Sequence, residues 1–170
     1  MKWFRRTRED RQQGEKAPSL IAGACLSGAV VPMAAIPDPV FAEGVLGPCI
    51  GIRPPAEEGK CVISAPADGT VTQCTETGHA VGLACGETEI LIHAGIDTVG
   101  LAGKGFVLSV QAGDTVRAGQ TLLEMDTVLV REAGYDTVVV IIITELSGTA
   151  VFAEQTTIRT GERLFSVLPS

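Results

Sequence analysis

TVVVIII, residues 137–143, is an apolar run broken by no polar residue between Thr137 and Thr144. A strand with one wet face alternates apolar and polar side chains, so a short unbroken run reads as a strand buried on both faces. Such a strand belongs in the middle of a sandwich or barrel. The composition agrees: 20 glycines, an aromatic content of 4% and abundant Val, Ile and Thr favour strands joined by tight turns. From about residue 20 onward, short runs bounded by Gly, Pro or Asp recur, and none has helical periodicity long enough for a major helix. The expectation is an all-β fold, a compact sandwich of antiparallel strands with little helix.

Two near-repeats extend this reading. ACLSGAVVPM at 24–33 matches APADGTVTQC at 65–74 with an offset of 41, and TVRAGQTLL at 115–123 matches TIRTGERLF at 157–165 with an offset of 42. The pattern suits two related halves built from like hairpins. The length of 170 residues fits one domain. Residues 1–18, MKWFRRTREDRQQGEKAP, read as a flexible polar tail, and 19–170 as the domain.

The formal charge of -7 argues against nucleic-acid binding, which needs clustered Lys and Arg, and favours basic partners. Cys25, Cys49, Cys61, Cys74 and Cys85 form an odd set without a C-x-x-C pair, so a reducing cytoplasm suits them better than a disulfide framework. Arg5 and Arg6 before the apolar stretch at 20–36 imitate an export signal. Glu9, Asp10 and Glu15 in the charged part and Pro32 in the apolar part argue against it. Within residues 1–8, Trp3 and Phe4 beside Lys2, Arg5, Arg6 and Arg8 suit weak contact with an anionic membrane surface.

The chain has two histidines, His79 and His93. HAVGL at 79–83 and EILIH at 89–93 read as two strands of a hairpin. With the turn centred on Gly86, antiparallel partners have numbers summing to 172, as 79 and 93 do. The imidazoles then face each other across about 5 Å between Cβ atoms, within reach of one small anion such as a phosphoryl group. By the period of two, Val81, Leu83, Leu91 and Glu89 share their face, while Ile90 and Ile92 point into the core. Neutral imidazole is a competent nucleophile at cell pH.

ILIHAGIDTV at 90–99, TGHA at 77–80, DPVFAEGVLG at 38–47 and APADGTV at 65–71 occur in an order that resembles the glucose-type enzyme IIA (EIIA type 1) domain of the bacterial phosphotransferase system, over nearly all of 19–168. The resemblance implies a duplicated hybrid motif, a barrel-sandwich. It implies a cytoplasmic phosphocarrier for sugar uptake, needing no cofactor, that accepts a phosphoryl group from the phosphocarrier HPr and passes it to a IIB domain. His93 maps onto the acceptor, expected as tele-phosphohistidine, and His79 onto the residue that stabilises the phosphoryl group. Thr77 resembles the threonine that orients that histidine. Asp38 and Asp97 match acids that meet arginines of the carrier, and Val40, Phe41 and Val81 would supply the apolar rim for docking. Ala94, Cys74 and Val81 depart from bulkier or aromatic family positions, which implies an altered docking face. The sugar would be chosen by a separate membrane IIC component, with IIB and IIC on other polypeptides.

Two other readings fit less well. A biotinyl or lipoyl carrier would need a lysine where LLEMDT, 122–127, offers Asp126. A zinc peptidase of the M23 group would need a His-x-His pair and a further His, which two histidines cannot supply. Weak zinc binding by His79 and His93, completed by a partner's ligand, stays open at this point.

Overall fold

A computed structural model describes residues 16–170. The expected membrane contact of residues 1–8 and most of the tail lie outside it. Among the described residues, fourteen strands run in chain order: β1 (Leu20–Gly23), β2 (Gly28–Pro32), β3 (Cys49–Arg53), β4 (Lys60–Ser64), β5 (Gly69–Cys74), β6 (Ala80–Cys85) and β7 (Thr88–Ala94), then β8 (Phe106–Leu108), β9 (Thr115–Val116), β10 (Thr121–Asp126), β11 (Val139–Glu145), β12 (Thr149–Phe152), β13 (Thr157–Ile158) and β14 (Arg163–Leu168). Among the described residues, helix is limited to α1 (Pro39–Ala42), α2 (Thr127–Glu132) and the 3-10 turns Met33–Ala35 and Thr98–Leu101. The fold is all-β.

An eight-stranded sheet has the order β13-β2-β3-β11-β7-β6-β5-β9, and two three-stranded sheets have the orders β1-β14-β12 and β4-β10-β8. Most of the apolar run, Val139 to Ile143, lies in β11, between β3 and β7 in the middle of the large sheet. Val138 to Ile143 are all at most 1% exposed. Alternation splits them between two clusters. Val139, Ile141 and Ile143 enter the main core, whereas Val138, Val140 and Ile142 join a smaller one with Val31, Ile36, Phe41, Cys49 and Ile96.

The near-repeats are structurally equivalent, down to single hydrogen bonds. β9 pairs with β5 through Gly69↔Val116, and β13 pairs with β2 through Gly28↔Ile158. Gly119 N donates to Ala65 O (2.8 Å) and Gly161 N to Ala24 O (3.0 Å). Ala118 N donates to Asp68 Oδ1 (2.8 Å) and Thr160 N to Ser27 Oγ (2.9 Å). Each half thus closes the same turn, and the large sheet reads as a mirrored strand order about β11 and β7.

The segment between β2 and β3 roofs the smaller core. Asp38 starts α1 by accepting from Val40 N (2.8 Å), and Pro39 fills the first helical position, where no N–H is required. Phe41 points inward, and the Cys49 thiol donates to its carbonyl (3.3 Å).

Candidate active site

His93 is the penultimate residue of β7, on the face opposite Ile92 and therefore beneath the roof. Its neighbours in the sheet are Val140 on β11 and Ala80 on β6. The Phe41 ring packs against it at a centroid distance of 5.2 Å. Nδ1 lies 2.8 Å from Gly95 O. A carbonyl only accepts, so Nδ1 carries the proton and Nε2 keeps a free lone pair.

The hairpin is registered one residue away from the sequence expectation. Cys85 pairs with Thr88 and Ala80 with His93, so partner numbers sum to 173. The loop has two residues, Gly86 and Glu87, with a positive φ at Gly86 only, the type II′ pattern that follows the twist of the flanking strands. His79 therefore does not sit opposite His93. It lies just before β6, where its carbonyl accepts from Ala94 N (2.8 Å), and its ring still meets that of His93 edge to face at 4.9 Å. The bend at Thr75–His79, with Gly78 at φ 74°, makes up for the shifted register.

Thr77 Oγ1 is 2.5 Å from His79 Nδ1, with Thr75 Oγ1 at 3.4 Å from the same nitrogen. Thr77 belongs to this bend and precedes β6. Thr75, which the sequence reading passes over, also accepts from Ala80 N (3.1 Å) and so ties the bend to β6. Phe106 flanks His79 with ring centroids 6.3 Å apart. No periodicity marks these turn residues in the sequence.

Both imidazoles titrate below the ordinary range. For His93 burial is the leading cause, opposed by the Gly95 carbonyl and by the carboxylates of Asp38 and Asp97. For His79 burial leads again, and the neighbouring His93 adds to it. At neutral pH both rings are uncharged, and the carboxylates of Asp38 and Asp97 act on His93. Asp97 is exposed, with φ 57°, and its side chain caps nothing.

The expected rim needs correction at three positions. Val81 is 0% exposed because the 173 register pairs it with Ile92, so it and Leu83 lie in the main core and cannot touch a partner. Phe41 is 6% exposed and forms a wall against His93 instead of a rim. Ala94 is 0% exposed, so its small size changes internal packing and leaves the docking face untouched. Val40, 43% exposed, does face solvent, as does Val99 at 61%, two residues after Asp97, which the sequence reading did not select. Among the described residues no three His, Cys, Asp or Glu side chains gather to hold a metal ion, so the two imidazoles alone do not make a closed site.

Residues 21–149 match the family described as phosphoenolpyruvate-dependent sugar phosphotransferase system, EIIA 1. The chain is 41% identical over 132 residues to a glucose-specific EIIA component from Bacillus cereus, covering 77% of this chain and 78% of that protein. It is 47% identical over 120 residues to a beta-glucoside-specific EIIBCA component from Dickeya chrysanthemi, covering 70% of this chain and 18% of that protein. Glucose permease IIA from Mycoplasma capricolum superposes with a TM-score of 0.77 at 28% identity, covering 86% of this chain and 94% of that one.

Proposed function

This chain belongs to the EIIA 1 family of the sugar phosphotransferase system, and we propose that His93 is the residue on which it carries the phosphoryl group. The family's work is phosphoryl transfer through a phosphohistidine intermediate, with the phosphate passed to a IIB domain. The observation that supports His93 is the 2.8 Å bond between its Nδ1 and Gly95 O, which leaves Nε2 as the nucleophile beside a second imidazole. Nε2 attacks the phosphorus of the donor phosphohistidine in line. The new N–P bond forms as the donor's N–P bond breaks, and the donor ring keeps the electron pair. No proton leaves His93, because Nδ1–H stays on Gly95 O throughout.

His79 acts as stabiliser. With the Thr77 hydroxyl donating to His79 Nδ1, the proton of that ring sits on Nε2, free to donate to a phosphoryl oxygen on His93. Phosphorylated HPr is the donor in this reading and the IIB domain of a sugar permease is the acceptor. Asp38, Asp97 and Val40 lie on the docking face, whose negative charge suits a basic donor. The one-domain reading of 19–170 goes with it. A zinc ion at His79 and His93 would need further ligands from a partner.

The test is incubation with phosphoenolpyruvate, enzyme I and HPr, followed by intact-mass measurement at neutral or alkaline pH. One phosphoryl mass is expected on the native chain and none on His93→Gln. His79→Gln is expected to accept the group and donate it poorly to a IIB domain. Equal labelling of the His93 variant would place the acceptor elsewhere.

A further inference from the structure

The bond from His93 Nδ1 to Gly95 O decides which ring nitrogen is free, and that carbonyl is aimed from outside the site. Gly95 O and Ile96 N–H belong to one planar trans peptide, so they point in opposite directions. Ile96 N donates to Asp136 O (3.0 Å), and Gly95 N donates to Val138 O (2.9 Å). Residues 136–138, leading into β11, therefore hold the peptide that holds His93. Close packing limits any other pose, because a Cβ on Gly95 would lie 3.0 Å from Asp136 O and 2.4 Å from the methyl of buried Thr98.

The anchor is itself clamped. Asp136 Oδ1 accepts from Val138 N (2.9 Å) and from Arg53 Nε (3.2 Å), and Oδ2 accepts from Arg53 Nη2 (2.9 Å). Arg53 is the last residue of β3, whose Ile52 pairs with Val139 at the start of β11. The two side chains are 41% and 31% exposed, and a pair this wet adds little to global stability. Its forked geometry instead fixes one segment in one place.

We propose that the Arg53–Asp136 pair is a positioning device which orients the Gly95–Ile96 peptide and so keeps His93 as the Nδ1–H tautomer. The proposal rests on His93 being the phosphoryl acceptor. Neither side chain touches a reacting atom; both act through the backbone.

The experiment combines ring ¹⁵N chemical shifts of His93 in the full chain with steady-state phosphoryl transfer from phosphorylated HPr. In Asp136→Ala the two ring nitrogens are expected to shift toward a mixture of tautomers, and kcat to fall about tenfold. KM should stay within about twofold, since the docking face is intact. Arg53→Lys keeps the charge without the fork and should lie between. If Asp136→Ala does not fold, Arg53→Met carries the same expectation. Unchanged nitrogens in a folded variant overturn the proposal, and so does a fall in kcat with unchanged nitrogens. Failure of the acceptor reading would show separately, as a native chain that gains no phosphoryl mass, because the tautomer is read without phosphorylation.

Discussion

At the scale of single residues, His79 and His93 couple the site to acidity. Burial lowers both pKa values in the folded chain, while the unfolded chain keeps the ordinary value of about 6.5. The unfolded state then binds protons first on acidification. Stability is complete above about pH 6.5 and falls as pH drops through the folded-state values, by at most about 1.4 kcal/mol per pH unit for each ring. Urea unfolding between pH 7.5 and 5.5 measures this, and His93→Gln should flatten its share of the slope. A protein that grows more stable over that acid range would contradict the burial argument. With His93 as the proposed acceptor, the rate of phosphoryl acceptance should follow the same sign, level at neutral pH and falling once its Nε2 is protonated. The identity of these two residues was legible in the sequence because the chain has no other histidine.

At the scale of elements, legibility depended on whether a feature repeats. β11 announced itself because burial on both faces removes all polar alternation, and the duplicated turns did so because the same contacts recur at offsets of 41 and 42. The hairpin register differs by one from the sequence expectation, since C-G-E fits a loop of two residues or three and only the twist of the strands selects the II′ form. That single step moved Val81 from a supposed rim into the core. The roof over His93 could not be read from DPVFAEGVLG alone, because Phe41 finds its partners in residues far along the chain. The duplication also yields a test. A Cβ on Gly28 would lie 2.1 Å from Arg53 O, and one on the equivalent Gly69 would lie 2.5 Å from Ala84 O. Backbone oxygens of a paired strand cannot yield as a side chain can, so the glycines serve close approach. Gly28→Ala is expected to cost about 3 kcal/mol, with Gly69→Ala similar, read as a lower urea midpoint at unchanged slope. Wild-type midpoints would mean that the strands part at little cost.

For the whole molecule, charge is unevenly shared along the chain. Six of the 13 Lys and Arg residues fall in the first 16 positions, against three of the 20 Asp and Glu, so residues 17–170 are more acidic than the total of -7 suggests. Around His93 the local balance has the same sign, through Asp38 and Asp97. Exposed charges act over about 8 Å at physiological ionic strength, so they speed encounter with a basic partner more than they hold the complex. The chemical step should depend little on salt, because what orients the two rings is short-range contact within the chain, His93 Nδ1 to Gly95 O at 2.8 Å and Thr77 Oγ1 to His79 Nδ1 at 2.5 Å. Raising ionic strength from about 0.05 to 0.5 M should therefore raise KM for phosphorylated HPr by about tenfold while kcat stays level. Asp97→Asn should reproduce part of that rise at low salt and make the remainder less salt-dependent, since it removes one exposed carboxylate and no hydrogen bond to the backbone. Asp38→Asn is a poorer probe, because its carboxylate also caps α1. A KM indifferent to salt, with kcat falling instead, would mean that the acidic groups act on the transferred phosphoryl group and not on docking.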